Sequence, residues 1–459
     1  MENTYSKERY SKNDRKILRS RVIEIAWPAV TELVLVSLFG AIDMMMAGQI
    51  GSIGTTAITA IGLTNQPIFL AMAVFQALNI GGTALVSRFI GAKKESEANN
   101  TTMQLLYITF FLSFFVVIPA VMLAKQIYIF MGADKEVIDI GLIYFKIVLY
   151  GIFPQNFALA IAAVLRGAGD TKTPMMINIF SNLLNVFGNY VLIFGRLGFP
   201  ELGVTGAGVS TLISRIISMV MLGWILFNGK SKIKLNFKNK YKVDLTTIKR
   251  LMRIGFPSAL EQFFLRTGNL FFVRVVATLG TVIYAAHQVS LSILSMSFTS
   301  GMAFGMAAST LIGQSLGAED KELAEEYGKE VRFLGSIVAT AIGVIFFIFG
   351  PQIVALYSND PEVIKRASFV LKMIAIIQPF QSSQLIYAGG LRGAGDTRWP
   401  LISTLAGIWF VRVTLAYLFI NGLGYGLIGA WLAICIDQII RYFILLWRFR
   451  VGKWKHITV

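Results

Sequence analysis

Histidine, cysteine and charge are all scarce in this chain of 459 residues. The two histidines, His287 and His456, are too few and too far apart for a histidine metal site. The single cysteine, Cys435, permits no internal disulfide and no thiolate cluster, and its apolar run marks it as a small buried hydrophobe. With so little histidine, no Ser-His-Asp arrangement can be assembled, so no enzyme and no cofactor is expected. The one Gly-Lys-Ser, Gly229–Ser231, has Trp224 where a phosphate-binding loop needs its first glycine, which argues against an ATP-driven pump. Charged residues make up 15% of the chain, against about 25% in soluble domains, too few to cover a globular surface.

Apolar residues are abundant instead. They make up 55% of the chain, and mean hydropathy is +0.65. Runs near twenty residues recur along the whole length, each long enough to cross a hydrocarbon core of about 30 Å. They predict an all-α membrane protein with twelve transmembrane helices, at 22–47, 57–80, 100–124, 140–165, 174–195, 203–227, 249–275, 285–309, 327–351, 367–391, 399–421 and 424–447. Runs of this length and apolarity do not suit the short alternating strands of a barrel.

Residues 1–21 hold seven basic residues and no apolar run, which reads as a solvated cytoplasmic tail rather than a secretory signal. With both termini inside, 31 of the 42 Lys and Arg fall on cytoplasmic segments and five on outer loops. That bias sets the orientation and accounts for the net charge of +17 as topology and lipid contact, not a nucleic-acid footprint. The expectation is a multi-pass monomer of the cell inner membrane.

The chain repeats itself. LRGAGDTKTP (165–174) returns as LRGAGDTRWP (391–400), 226 positions later. ALVSRFIGA (84–92) matches STLIGQSLGA (309–318) in the same register, and IAWPAVTEL (25–33) matches IGFPSALEQ (254–262) at an offset of 229. The division expected is a tail (1–21), an N-lobe of six helices (22–227), a basic cytoplasmic linker (228–248), a C-lobe of six (249–447) and a second tail (448–459). An even number of helices per half makes the halves parallel copies, an arrangement in which transporters place substrate between the halves. Within the repeated string, Gly167 and Gly169 permit a turn, Asp170 can cap the next helix and Pro174 suits its first turn. A gate contact is the alternative role.

Ionisable groups inside spans are costly and need a reason. Glu24 and Glu32 lie near the inner end of helix 1, where headgroups could solvate them. Asp43 has no cation within a helical turn on either side, so if buried it takes a proton or finds a partner; the alternative is a carboxylate near the outer mouth that water reaches easily. The fifth helix carries Asn178, Asn182, Asn185 and Asn189 at spacings of four, three and four, one helical face of hard oxygen donors suited to small cations or to interhelical hydrogen bonds. Glu261 follows Pro257 by one turn, with Gln262 and Arg266 nearby; a Glu261–Arg266 pair at i,i+5 does not stack neatly, and cationic drug is a further partner. Arg412 and Asp437 could pair across helices 11 and 12, His287 reads as a polar packing residue, and Met44, Met45 and Met46 could offer an adaptable surface to varied ligands.

Two six-helix halves, LRGAGDT after each fourth helix, AIDMMMAGQIG in the first, GAKKESEA after the second and LGVTGAGVST in the sixth together resemble the multidrug and toxic compound extrusion (MATE) family, closest to its bacterial NorM-like branch. The resemblance covers nearly the whole chain. It implies a V-shaped pair of lobes and alternating-access antiport that expels organic, often cationic, compounds in exchange for Na⁺ or H⁺. It implies an N-lobe cation site at Asp43, Asn185, Asn189 and Thr211, where Na⁺ could be held by Asp43, Asn185 and Asn189. Some relatives carry Asp where this chain has Asn189. Relatives also place a helix-7 Glu at the position of Leu265 and a helix-10 Asp at that of Gln381, so Glu261, Gln262 and Gln381 form a second candidate set for substrate or a C-lobe cation. A flippase for lipid-linked precursors is the alternative of similar layout; a channel or receptor fits the duplication poorly.

Overall fold

The computed structural model describes residues 11–50, 54–228, 232–236 and 241–459. Residues 1–10 of the expected tail, and 229–231 and 237–240 of the expected linker, lie outside this set. Among the described residues all regular structure is helical. The first half holds α1 (Lys12–Gly48), α2 (Gly54–Gly91), α3 (Glu95–Met122), α4 (Ala124–Phe130), α5 (Lys135–Tyr150), α6 (Ile152–Gly167), α7 (Lys172–Ile193) and α8 (Gly203–Phe227). The second holds α9 (Leu245–Ala277), α10 (Thr281–Gly317), α11 (Lys321–Ala355), α12 (Pro361–Gly393), α13 (Arg398–Thr404), α14 (Thr414–Tyr417) and α15 (Gly426–Val451).

Each of the twelve expected spans falls on this helical framework. Among the described residues ten stretches are long and apolar enough to cross a membrane. The other two, α9 and α12, have 33 residues each but carry more charge, including Glu261 and Arg392, which neutralise each other. Two spans are less regular than expected. The fourth is broken at Gly151 into α5 and α6, and the eleventh winds through wide π-helical turns at Leu405–Val413 and Leu418–Gly422 around α14. Large apolar side chains such as Phe115, Phe130 and Phe410 stand on the outside, more than three-quarters exposed, a surface that suits lipid and not water.

The helices form two compact units, and their boundaries differ from the lobes expected at 22–227 and 249–447. One unit runs from Thr31 to Ala259; the other joins the residues up to Val30 with Leu260–Val459. The chain changes unit inside α1 and inside α9, at positions 229 apart and just after Pro28 and Pro257. A proline inside a helix removes one backbone hydrogen bond and loosens the rod there, which lets a single helix serve two bodies.

The 31–259 unit is built on a core of Phe75, Tyr128, Phe145, Ile152 and their neighbours. The other unit has one core around Phe304, Tyr387, Phe449 and Trp454, which Val22, Ile25 and Ala26 of α1 complete, and a second around Phe272, Leu371 and Trp431.

Both copies of the repeated string make the same turn. Gly169 and Gly395 have φ of 90° and 82°, the left-handed region that favours glycine. Gly167 packs on α2, where an added Cβ would stand 2.9 Å from the Thr83 carbonyl; at Gly393 it would overlap the carbonyl of Ser309, the residue equivalent to Thr83. Asp170 Oδ1 accepts from the Thr173 N–H at 3.0 Å, the expected cap of α7. Asp396 instead takes an ion pair with Arg448 at 2.7 Å.

Candidate functional site

In the 31–259 unit, α1, α7 and α8 bring Asp43, Asn185, Asn189 and Thr211 together. Asn189 lies about one turn from the end of α7 and donates through Nδ2 to Asp43 Oδ1 at 2.8 Å. With the Asn185 amide turned to satisfy both its ends, Nδ2 donates to both Asp43 oxygens at 3.1 Å, while Oδ1 accepts from the Thr211 N–H at 3.2 Å and from the Thr211 and Ser210 hydroxyls at 3.3 Å. Asp43 is half-buried and Asn189 is 1% exposed. The asparagine face of α7 turns inward because amides facing lipid would be left unpaired. The amides hold the carboxylate with donors but do not neutralise it. Arg215 on α8 acts on Asp43 electrostatically, while its own Nη1 donates to the Val148 carbonyl at 3.3 Å. The Oδ1 of Asn189 is buried without a partner, an oxygen next to the acid that nothing in the protein uses.

Glu32 departs from expectation. It is not solvated at the membrane surface but is 5% exposed, inside the unit. Its Oε1 accepts from Asn178 Nδ2 at 2.5 Å and pairs with Arg166 at 3.3 Å. Arg166 belongs to the repeated string, whose arginine the sequence reading leaves without a role. The signal was available, since the Glu and the Arg both recur in the second half at nearly one offset. Glu24 is exposed and pairs with Arg21 at 2.7 Å.

In the other unit Glu261 is 1% exposed and pairs through Oε1 with Arg392 at 2.6 Å, and Thr404 donates to the same oxygen at 3.4 Å. Its partner is therefore the arginine of the second repeated string, not Arg266. Gln381 is buried with neither end of its amide bonded, and Gln262 is half-buried; no hydrogen bond joins either to Glu261. The Glu261 carboxylate is neutralised by Arg392. Arg412 and Asp437 pair as expected, with Nε to Oδ2 at 2.9 Å and a second short contact from Nη2, and Arg412 Nη1 reaches Asn269 at 2.8 Å. The wide turns of Leu405–Val413 carry Arg412, and Gly407 within them lies against Asp437 and Arg441, where a Cβ would clash with both. His287 is fully buried among the rings of Phe272, Tyr284 and Trp431, a packing role. Cys435 is half-buried. Among the described residues no group of three or more His, Cys, Asp or Glu could hold a metal ion.

The MatE family model matches residues 28–191 and 257–418, two segments that begin 229 positions apart at the two proline turns. The chain is 30% identical to a probable multidrug resistance protein NorM of Thermotoga maritima, over 96% of this chain and 94% of that one. It is 27% identical to the uncharacterized transporter YisQ of Bacillus subtilis, over 94% of each chain. Its fold matches the solved structure of a MOP superfamily transporter from Pyrococcus furiosus with a TM-score of 0.88, covering 98% of this chain and 100% of that one at 21% identity.

Proposed function

Because this chain belongs to the MatE family of membrane transporters, we propose that it is a multidrug efflux antiporter of the cell inner membrane, monomeric, with both termini in the cytoplasm, expelling organic and often cationic compounds against an inward flow of H⁺ or Na⁺. Relatives named as multidrug resistance proteins support the substrate class. The observation that carries the coupling is Asp43, a half-buried carboxylate held by two neutral amides on a neighbouring helix. A proton on Asp43 cancels the charge that those amide donors serve, so α1 and α7 lose part of their bond. Na⁺ is the second reading, and the unpartnered Oδ1 of Asn189 favours it, since a turned amide would add that oxygen to the carboxylate. In either case the ion must prefer one arrangement of α1 over the other, because an ion with equal affinity for both shifts nothing. Each charge moved inward contributes about 2.3 kcal/mol per 100 mV.

Ethidium or norfloxacin efflux from vesicles, with Na⁺ and pH gradients imposed separately, tests this on the parent and on Asp43→Asn. Export by the parent under one gradient and its loss in the variant is the expected result. Export under neither gradient ends the antiporter reading, and a fully active Asp43→Asn protein ends the assignment of the site.

A further inference from the structure

The two buried carboxylates that follow the prolines have matching surroundings. Glu32 is bound by Arg166 and Asn178; Glu261 is bound by Arg392 and Thr404. The acids are 229 positions apart, like the prolines before them, and each partner recurs 226 positions later, like the string that contains the arginines. In each case the acid comes from the helix that has just changed unit, the arginine from the end of the helix before the glycine turn, and the third group from the helix after it. In each case one oxygen of the acid takes both partners and the other is buried without one.

We propose that these are equivalent anchors, one in each unit, and that Arg166 and Arg392 are positioning residues for transport. Each fixes the helix segment beyond the proline to the body it has entered. The physical case is direct. A proline frees a carbonyl and softens the rod at 28 and at 257, and the first charged side chain beyond it, one turn on, closes a buried ion pair. Removing one member of such a pair leaves a buried charge without compensation, so parting from the body that supplies the arginine is costly for the segment. The two anchors differ in detail, and the neutral partner is nearer at Glu32, 2.5 Å to Asn178 against 3.4 Å from Thr404 to Glu261. The ion pair is shorter at Glu261, 2.6 against 3.3 Å, and there Arg441 Nη2 also holds Thr404 at 3.0 Å, whereas Arg215, at the equivalent position, donates to a backbone carbonyl instead. The anchors leave the outer part of α1, around Asp43, to follow the coupling ion; that last step rests on the function proposed above, but the anchoring does not.

Hydrogen–deuterium exchange of the protein in lipid nanodiscs reads the anchoring without any ion gradient. Arg166→Gln is expected to raise exchange at least tenfold in residues 31–42 and to leave 260–271 unchanged; Arg392→Gln is expected to do the reverse. Arg166→Lys should behave as the parent, and the exchanged pair Glu32→Arg with Arg166→Glu should restore protection. In vesicles, Arg166→Gln should lower the maximal efflux rate at least fivefold, with the half-saturating substrate concentration unchanged within twofold. Exchange equal to the parent in either glutamine variant, or an exchanged pair no better than the single variants, overturns the proposal. If a glutamine variant does not fold, Asn178→Ala and Thr404→Val remove one hydrogen bond and keep the ion pair: raised exchange in the matching segment supports the anchor and unchanged exchange overturns it. A parent that exports under no gradient defeats the antiporter reading while the exchange result stands by itself.

Discussion

Glu32 and Asp43 stand eleven residues apart on α1 and take their amide donors from Asn178 and Asn189, eleven residues apart on α7. Eleven residues are close to three full turns, about 16 Å, so both acids share one face and the two helices run parallel in a single register. The inner rung has an arginine paired directly with its acid, whereas the acid of the outer rung is bonded by amides, and Arg215 acts on it only through its field.

Loss of a donor should therefore matter more at the outer rung. A hydrogen bond to a charged group contributes about 1.5–3 kcal/mol, tenfold or more in an equilibrium. Asn189→Leu is expected to reduce gradient-driven efflux about tenfold, while Asn178→Leu, with Arg166 still on Glu32, should lose about threefold or less. Vesicle efflux of the two variants side by side checks this; equal losses would mean that the rungs do not differ.

The spans were legible because twenty apolar residues have few other uses, and the duplication was legible because whole strings recur. Asp43 and its asparagine face also showed, since an unpaired acid and a spacing of four, three and four are local patterns. What did not show were the two buried Glu–Arg pairs. Arg166 lies 134 residues from Glu32 and Arg392 lies 131 from Glu261, and in both strings the eye goes to the glycines and the capping Asp. The break at Gly151 and the π-helical turns of the eleventh span are set by packing, as where Gly407 makes room for Asp437 and Arg441, and hydropathy is blind to it.

Arg412 and Asp437 give a stability prediction. Asp437 is fully buried and Arg412 nearly so. Arg412→Leu strands the carboxylate and should cost about 3–5 kcal/mol, whereas removing both charges in Arg412→Leu with Asp437→Leu should recover most of it. Thermal unfolding in detergent reads the difference. A double variant as unstable as the single one would show that the pair does more than cancel its own burial.

The two glycines that bring the repeated strings onto α2 and α10 should respond unequally to alanine. At Gly393 the new Cβ overlaps backbone, which cannot swing aside, while at Gly167 it meets a carbonyl at 2.9 Å. Overpacking of this kind costs about 1–3 kcal/mol, so Gly393→Ala should fall at the upper end and Gly167→Ala at the lower. Melting temperatures of the two variants decide the order, and the reverse order would contradict the packing described.

Outside the membrane, Asp244 makes the start of α9 sensitive to acid. Its Oδ1 accepts from the N–H groups of Thr246 at 2.9 Å and Thr247 at 3.3 Å, its Oδ2 from the Thr247 hydroxyl at 2.5 Å and from Asn100 on α3 at 3.1 Å. The Thr247 hydroxyl holds its carboxyl below the usual carboxylate value, and against the opposing effect of burial the backbone donors and Asn100 add to it. A group whose acidity is increased by folding stabilises the protein above its unfolded pKa of about 3.9, and that contribution disappears as pH falls through the lower folded value. The melting temperature of the parent should therefore drop on acidification below about pH 4. Asparagine caps a helix nearly as well as aspartate but does not titrate there. Asp244→Asn should thus melt within a few degrees of the parent at neutral pH and show a shallower fall under acid, while Asp244→Ala should lose about 1 kcal/mol at neutral pH. An acid slope unchanged in Asp244→Asn would mean that this carboxylate carries none of it.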